Sequence, residues 1–144
     1  MDAAQEPETV NTIAMLGRAY SLLGFKIVNG VVGTGFPQKP SHSAVFAQIS
    51  PDGSRLTGLA KGANMTPQAM GEIVDELVDL GYVERQADPS DRRAKLITLT
   101  TRGEACIRAG EDVISGLEEQ IIQIVGERGH RDLRRLLGKL LDEG

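Results

Sequence analysis

The chain has 144 residues, 40% hydrophobic and 25% charged, with a net charge of −4, the size and balance of one soluble globular domain. No apolar run is long enough to span a bilayer, and the acidic, polar start at Met1–Pro7 is unlike a signal peptide. A single cysteine, Cys106, excludes an internal disulfide framework and fits a reducing cytoplasm.

Residues from about Thr9 to Val32 read as a helix whose second half is apolar nearly all round, through Leu22, Leu23, Phe25, Ile27, Val28, Val31 and Val32. Such a helix must be covered on more than one side, and in a chain this short a second subunit is the simplest cover. Gly33–Pro40 is a Gly/Pro-rich break. Ser41 then reads as the N-cap of a short helix carrying Ala44, Val45 and Ile49, ending at the turn Ser50-Pro51-Asp52-Gly53. Thr57 reads as the cap of another short helix holding Leu59, Ala60 and Ala63, broken by Gly62 and Asn64. Thr66-Pro67 is a stronger start, a hydroxyl cap followed by proline where its missing N–H costs nothing. Met70, Ile73, Val74, Leu77 and Leu80 follow at the helical period, and Gly81 ends the helix.

The period then changes. Tyr82–Ala87 and Lys95–Thr100 read as two short strands, joined by a polar loop, Asp88-Pro89-Ser90-Asp91-Arg92-Arg93. Thr100 or Thr101 caps a long helix with Cys106, Ala109, Val113, Leu117, Ile121 and Ile124 on one face, interrupted by Gly126 and Gly129. A last helix carries Leu133, Leu136, Leu137, Leu140 and Leu141. The predicted class is mainly α (α+β), a helix-turn-helix followed by a β-ribbon wing.

The negative net charge argues at first against a nucleic-acid partner, because phosphate neutralisation needs Lys and Arg. Its distribution argues the other way. Arg85–Arg102 holds five basic residues against two acidic ones, whereas Gly103–Gly144 holds six basic against nine acidic. In a helix-turn-helix the second helix enters the major groove with its N-terminal residues facing base edges. Here that helix presents Thr66, Gln68, Ala69 and Glu72. Gln pairs with adenine, and Ala or a Thr methyl meets the thymine methyl. Arg92 and Arg93 on the hairpin loop would be aimed at the neighbouring minor groove, with Arg85 and Lys95 on the strands as phosphate contacts. Each piece alone has a blander reading, as core or solvated surface. Their combination in this order points to duplex DNA.

Asp91-Arg92-Arg93 and Leu99-Thr100-Thr101-Arg102-Gly103 resemble the wing of the multiple-antibiotic-resistance-regulator (MarR) family, with its Asp-x-Arg and Leu-Thr-x-x-Gly pattern. Leu56-Thr57-Gly58-Leu59-Ala60, Ile73-Val74-Asp75-Glu76-Leu77 and Leu80-Gly81-Tyr82-Val83-Glu84-Arg85 are similar to its helix-turn-helix. The resemblance implies a non-enzymatic homodimer binding a pseudo-palindromic operator in double-stranded DNA. Residues 9–40 and 101–144 would supply the dimerisation helices, and 41–100 the winged lobe. By the same resemblance Asp91 buttresses Arg93, and Asp75 ties the recognition helix to the wing. It also implies a repressor released by a small aromatic or anionic effector, with Tyr20, His42 and Phe46 either lining a pocket or simply packing. The chain departs from the family at Gly71 and Glu76, near which the recognition helix often carries a basic residue. Glu72, Asp75, Glu76 and Asp79 make it acidic, so Glu72 either opposes DNA or selects cytosine through its amino group. Family members of the peroxide-sensing branch keep their cysteine on the first helix, so Cys106, on an apolar stripe, reads as a buried thiol. His42 and His130 lack metal-ligand spacing, and no cofactor or catalytic grouping is expected. The rival reading is a dimeric protein-interaction module of the same fold with little DNA affinity.

Overall fold

Helix α1 (Thr12–Gly33) starts where Asn11 holds an extended backbone and its side-chain oxygen accepts the Ala14 N–H at 2.9 Å, satisfying one of the orphan donors of a first turn. The structure is a computed structural model that describes residues 9–144, so the acidic start at Met1–Pro7 lies outside the described residues. Two compact units are distinguished, one ending at Gly110 and the other spanning Glu111–Gly144. Among α1 residues only Val31 is buried, while Tyr20, Leu22 and Phe25 are 72%, 57% and 61% exposed. The single chain therefore leaves an apolar helix uncovered.

After the break at residues 34–39, a 3-10 turn (Pro40–His42) runs into the four-residue α2 (Ser43–Phe46). Ser41 does not cap this segment. The fixed φ of Pro40 starts the turn one residue earlier, and the His42 Nδ1 takes the capping role by accepting the Lys39 N–H at 3.1 Å. The turn at Ser50–Gly53 closes as expected, with the Gly53 N–H donating to the Ser50 carbonyl at 2.9 Å.

Two residues, β1 (Ser54–Arg55), then pair antiparallel with a later strand, a contact the sequence did not foretell because two residues carry no alternation. Since this pairing keeps Arg55 extended, α3 (Leu56–Gly62) begins directly after it, and Thr57 lies inside the first turn instead of capping. Helix α4 (Pro67–Asp79) is capped as predicted, Thr66 Oγ1 accepting the Ala69 N–H at 3.2 Å. Its Met70, Ile73, Val74 and Leu77 are buried.

β2 (Val83–Asp88) and β3 (Asp91–Leu99) complete a three-stranded antiparallel sheet in the order β1-β3-β2. The strands run further than their sequences suggested. The expected loop at residues 88–93 narrows to Pro89-Ser90, so Arg92 and Arg93 lie on β3 itself. Asp88 accounts for the shortening: its Oδ1 accepts both the Ser90 N–H at 2.9 Å and the Ser90 hydroxyl at 2.8 Å, an Asx turn that closes in two residues. The register passes from Ala87↔Lys95 to Asp88↔Asp91, so Arg92, Arg93 and Ala94 bulge from the ladder without partners of their own.

Thr100 ends the sheet and caps α5 (Thr101–Glu143), accepting the Gly103 N–H at 3.0 Å and donating its hydroxyl to the Gly81 carbonyl. The core of the first unit is centred on Tyr82, which is fully buried. Its hydroxyl donates to the Pro37 carbonyl at 2.7 Å, Phe46 meets it edge-on at 5.8 Å, and Phe36 lies 6.4 Å away. The Arg102 guanidinium sits 5.2 Å from the Tyr82 ring centroid, a cation–π contact. In the second unit, α5 breaks at Gly126, whose φ of 77° lies in the left-handed region. His130 Nε2 comes within 2.8 Å of Glu118 Oε2. In a straight helix residues this far apart are separated by about 18 Å, so the chain doubles back at the break. Leu136, Leu140 and Leu141 of this unit are 54%, 56% and 81% exposed. Among the described residues no helix is long and apolar enough to cross a membrane.

Gly103 explains the last letter of the Leu-Thr-x-x-Gly pattern. A Cβ there would stand 2.0 Å from the Tyr82 carbonyl oxygen, a backbone atom that cannot step aside. Gly103→Ala is expected to destabilise the protein by about 2 kcal/mol or more, read as a lower urea midpoint. An unchanged midpoint would mean that the approach of α5 to the Tyr82 backbone is looser than this geometry.

Candidate nucleic-acid interface

The face of α4 opposite its buried stripe begins with Thr66 and Gln68, both exposed, and continues one turn later with exposed Glu72. Ala69, expected on the same face, is half-buried. Gln68 and Glu72 are four residues apart and so share a ridge of the helix, at the end where an N-cap leaves backbone donors free for an anion.

The acidity of α4 is largely answered within the lobe. Asp75 Oδ1 accepts from the Arg85 guanidinium at 2.6 Å, tying α4 to β2. Arg85, expected to meet phosphate, is paired with Asp75 and so links the helix to the strand. Glu76 receives two donors: His42 Nε2 at 2.8 Å and Lys39 Nζ at 3.1 Å. Because Nδ1 of His42 already accepts the Lys39 N–H, its Nε2 carries the hydrogen and donates. The bond from His42, then that from Lys39, holds the Glu76 carboxyl below its ordinary pKa. Among the described residues Glu72 and Asp79 belong to no ion pair.

These contacts also bear on the pocket candidates. His42 is 1% exposed and engaged through both ring nitrogens. Phe46 packs edge-on against Tyr82. Tyr20 stands exposed on α1. Two of the three are committed to internal packing and hydrogen bonding.

The wing is braced by residues the sequence did not single out. Arg55 reaches from β1 to Asp88, with Nε and a terminal nitrogen 2.9 and 2.8 Å from the same carboxylate oxygen. Asp88 is 7% exposed. The Ser90 backbone N–H, the Ser90 hydroxyl and then Arg55 hold its carboxyl below the ordinary range. Asp91 meets Arg93 at the backbone, its Oδ1 accepting the Arg93 N–H at 3.0 Å. The Arg93 guanidinium is left free, and Arg92, Arg93 and Lys95 are all exposed without an ion-pair partner among the described residues. The Asp-Pro-Ser-Asp stretch could have flagged Asp88 as a turn former. Nothing local flagged Arg55, 33 positions earlier, without knowledge of β1.

Cys106 is 3% exposed, and burial pushes its thiol pKa up, opposed in part by Arg102. A thiolate is correspondingly scarce, so the residue packs as a small apolar group. His130 bonds to Glu118, and among the described residues no three His, Cys, Asp or Glu side chains converge as metal ligands.

Residues 39–94 match the model of the MarR family. An HTH-type transcriptional repressor of Mycobacterium tuberculosis, Rv2887, is 35% identical over 82 residues, which is 57% of this chain and 59% of the relative's length. The structure of Rv2887 in complex with p-aminosalicylic acid superposes with a TM-score of 0.68 at 26% identity, covering 91% of this chain and 98% of the other. The transcriptional repressor CouR, bound to a 23-mer DNA duplex, shares the fold at a TM-score of 0.79 and 19% identity, covering 98% and 99% of the two chains. A crystal structure of MarR itself does so at 0.83 and 18%, covering 97% and 95%.

The Arg55–Asp88 brace carries an acid signature. A carboxylate whose folded pKa is depressed adds stability above its unfolded pKa and loses it as pH falls through the folded value. Wild type should therefore have a higher urea midpoint than Asp88→Asn at pH 7. The gap should close below the ordinary carboxylate range, as Asp88 protonates. A gap that persists undiminished at about pH 2.5 would show that the charge of Asp88 is not what braces the wing.

Proposed function

Because residues 39–94 match the MarR family model and the helix pair α3–α4 is followed by the wing strands of a three-stranded sheet, we propose that this chain is a DNA-binding regulator of transcription, acting as a homodimer on a pseudo-palindromic operator. The observation that carries this reading is the pairing of an exposed helix face with free wing cations. Thr66, Gln68 and Glu72 face outward at the start of α4, and Arg92, Arg93 and Lys95 stand unpaired on β3. The helix start suits the major groove, and a free arginine on a braced wing suits an adjacent, narrow minor groove. Lys95 would meet phosphate, while Arg85 and Asp75 keep the two parts in register.

Dimerisation answers the uncovered helix. Leu22 and Phe25 of α1 and Leu140 and Leu141 of the second unit are exposed apolar residues, and a second copy covers such surfaces with the segments at 9–40 and 101–144. Two lobes then address two half-sites about one helical turn apart. Repression is the sense in which the reading runs, as for Rv2887 and CouR, and the activity is non-enzymatic and cytoplasmic. Since Rv2887 takes p-aminosalicylic acid, a small aromatic anion is the effector class to try first. It would act by favouring a lobe spacing wrong for the operator.

Fluorescence anisotropy on a pooled pseudo-palindromic duplex library tests the reading. Wild type should enrich a symmetric site, Arg93→Ala should bind it about tenfold more weakly, and affinity should fall steeply between about 50 and 200 mM salt. A folded dimer that enriches nothing at low salt would leave the protein-interaction module, which the net charge of −4 favours.

A further inference from the structure

We infer that Glu72 is a base-reading residue of the recognition helix, selecting cytosine beside the base read by Gln68. This rests on the DNA-binding reading above and deepens it.

α4 carries four carboxylates, and the structure sorts them. Asp75 is held by Arg85 at 2.6 Å, and Glu76 by His42 and Lys39 at 2.8 and 3.1 Å. These two are struts whose charge is met by partners within the lobe. Asp79 is the last residue of α4, about three turns from its start. Glu72 alone is exposed, free of ion pairs among the described residues and within the first two turns. It also shares a ridge with Gln68, so a duplex that brings a base edge to Gln68 brings the next edge to Glu72.

An ionised carboxylate only accepts hydrogen bonds. In the major groove guanine offers two acceptors, thymine one acceptor and a methyl group, and adenine an acceptor next to its donor. Cytosine alone presents an amino donor with no acceptor beside it. A carboxylate desolvated by docking against any other base is left unpaired and close to acceptors, which costs affinity. Glu72 therefore gains less from cytosine than it loses with the other three bases, and specificity arises mainly from exclusion. The same charge lowers affinity for all duplexes through its repulsion of phosphate. Arg92, Arg93 and Lys95 on the wing, unpaired, offset that repulsion.

Selection from the same duplex library with wild type, Glu72→Gln and Glu72→Ala separates the outcomes, with circular dichroism and melting to show that these surface variants remain folded. Wild type should enrich cytosine at one position of each half-site, by about five- to tenfold over the other bases. Glu72→Gln should shift that single position towards adenine, and Glu72→Ala should flatten it, with both leaving the remaining positions unchanged. If wild type enriches a symmetric site and both variants keep its full pattern while binding every duplex more tightly, Glu72 is a general repeller and the inference is overturned, with DNA reading intact. If wild type enriches nothing, the DNA-binding reading itself fails, and this one with it.

Discussion

Much of the winged lobe hangs on one buried residue, Tyr82. Its N–H donates to the Leu77 carbonyl and its own carbonyl accepts the Thr100 N–H, both at 3.0 Å, so it joins the end of α4 to the end of β3. Its hydroxyl anchors the segment that leads from α1 at Pro37, and its ring is walled by Phe36, Phe46 and Arg102. Burial raises the phenol's pKa, which keeps the hydroxyl a donor to a carbonyl that can only accept. Gly103 lies against its backbone because any larger residue would collide there. Three of the five Phe and Tyr residues in the chain gather at this point. A composition poor in aromatics has concentrated them where several elements meet.

From that junction the acidity of helix α4 becomes intelligible. A helix rich in Glu and Asp is a poor partner for a polyanion when its charges are counted along the sequence. In three dimensions two of the four carboxylates are paired within the lobe, one with Arg85 of the β2 strand and the other with His42 of the turn that precedes α2. They fix the helix's rotation as well as its charge. The residues that pull on it, Arg85, Lys39 and His42, come from either side of α4 in sequence. The position of the helix is thus specified by charge-assisted hydrogen bonds in addition to its buried stripe.

The elements that were legible in the sequence are those with long, regular patterns or strong local chemistry. The Met70–Leu77 stripe, the Thr66-Pro67 start, the turn at Ser50–Gly53 and the Thr100 cap all appear where their residues predicted. What escaped was either too short or too distant to leave a pattern. β1 has two residues; the wing strands extend because of Asp88's turn; and the Arg55 brace joins residues 33 apart. Ser41 and Thr57 misled for one reason: a hydroxyl at a helix start is a common cap, but Pro40 and the β1 pairing had already fixed where those helices begin. At the candidate interface the sequence supplied Thr66, Gln68, Glu72, Arg92, Arg93 and Lys95 as outward-facing residues, whereas Ala69 is half-buried. The partners that hold Arg85, Glu76 and His42 needed the fold.

The two-residue connection of the wing has a kinetic meaning. A long, loose hairpin would have to be ordered at the moment of contact, at a cost of about 1–2 kcal/mol for each residue whose backbone is frozen. Here the Asx turn, the Arg55–Asp88 brace and the Arg93 backbone bond to Asp91 do that ordering during folding. The wing is preorganised. For a surface of this kind, encounter with a partner is governed by diffusion and charge steering instead of rearrangement. On the proposed DNA-binding reading, differences among duplex sequences then show themselves in how long the complex lasts.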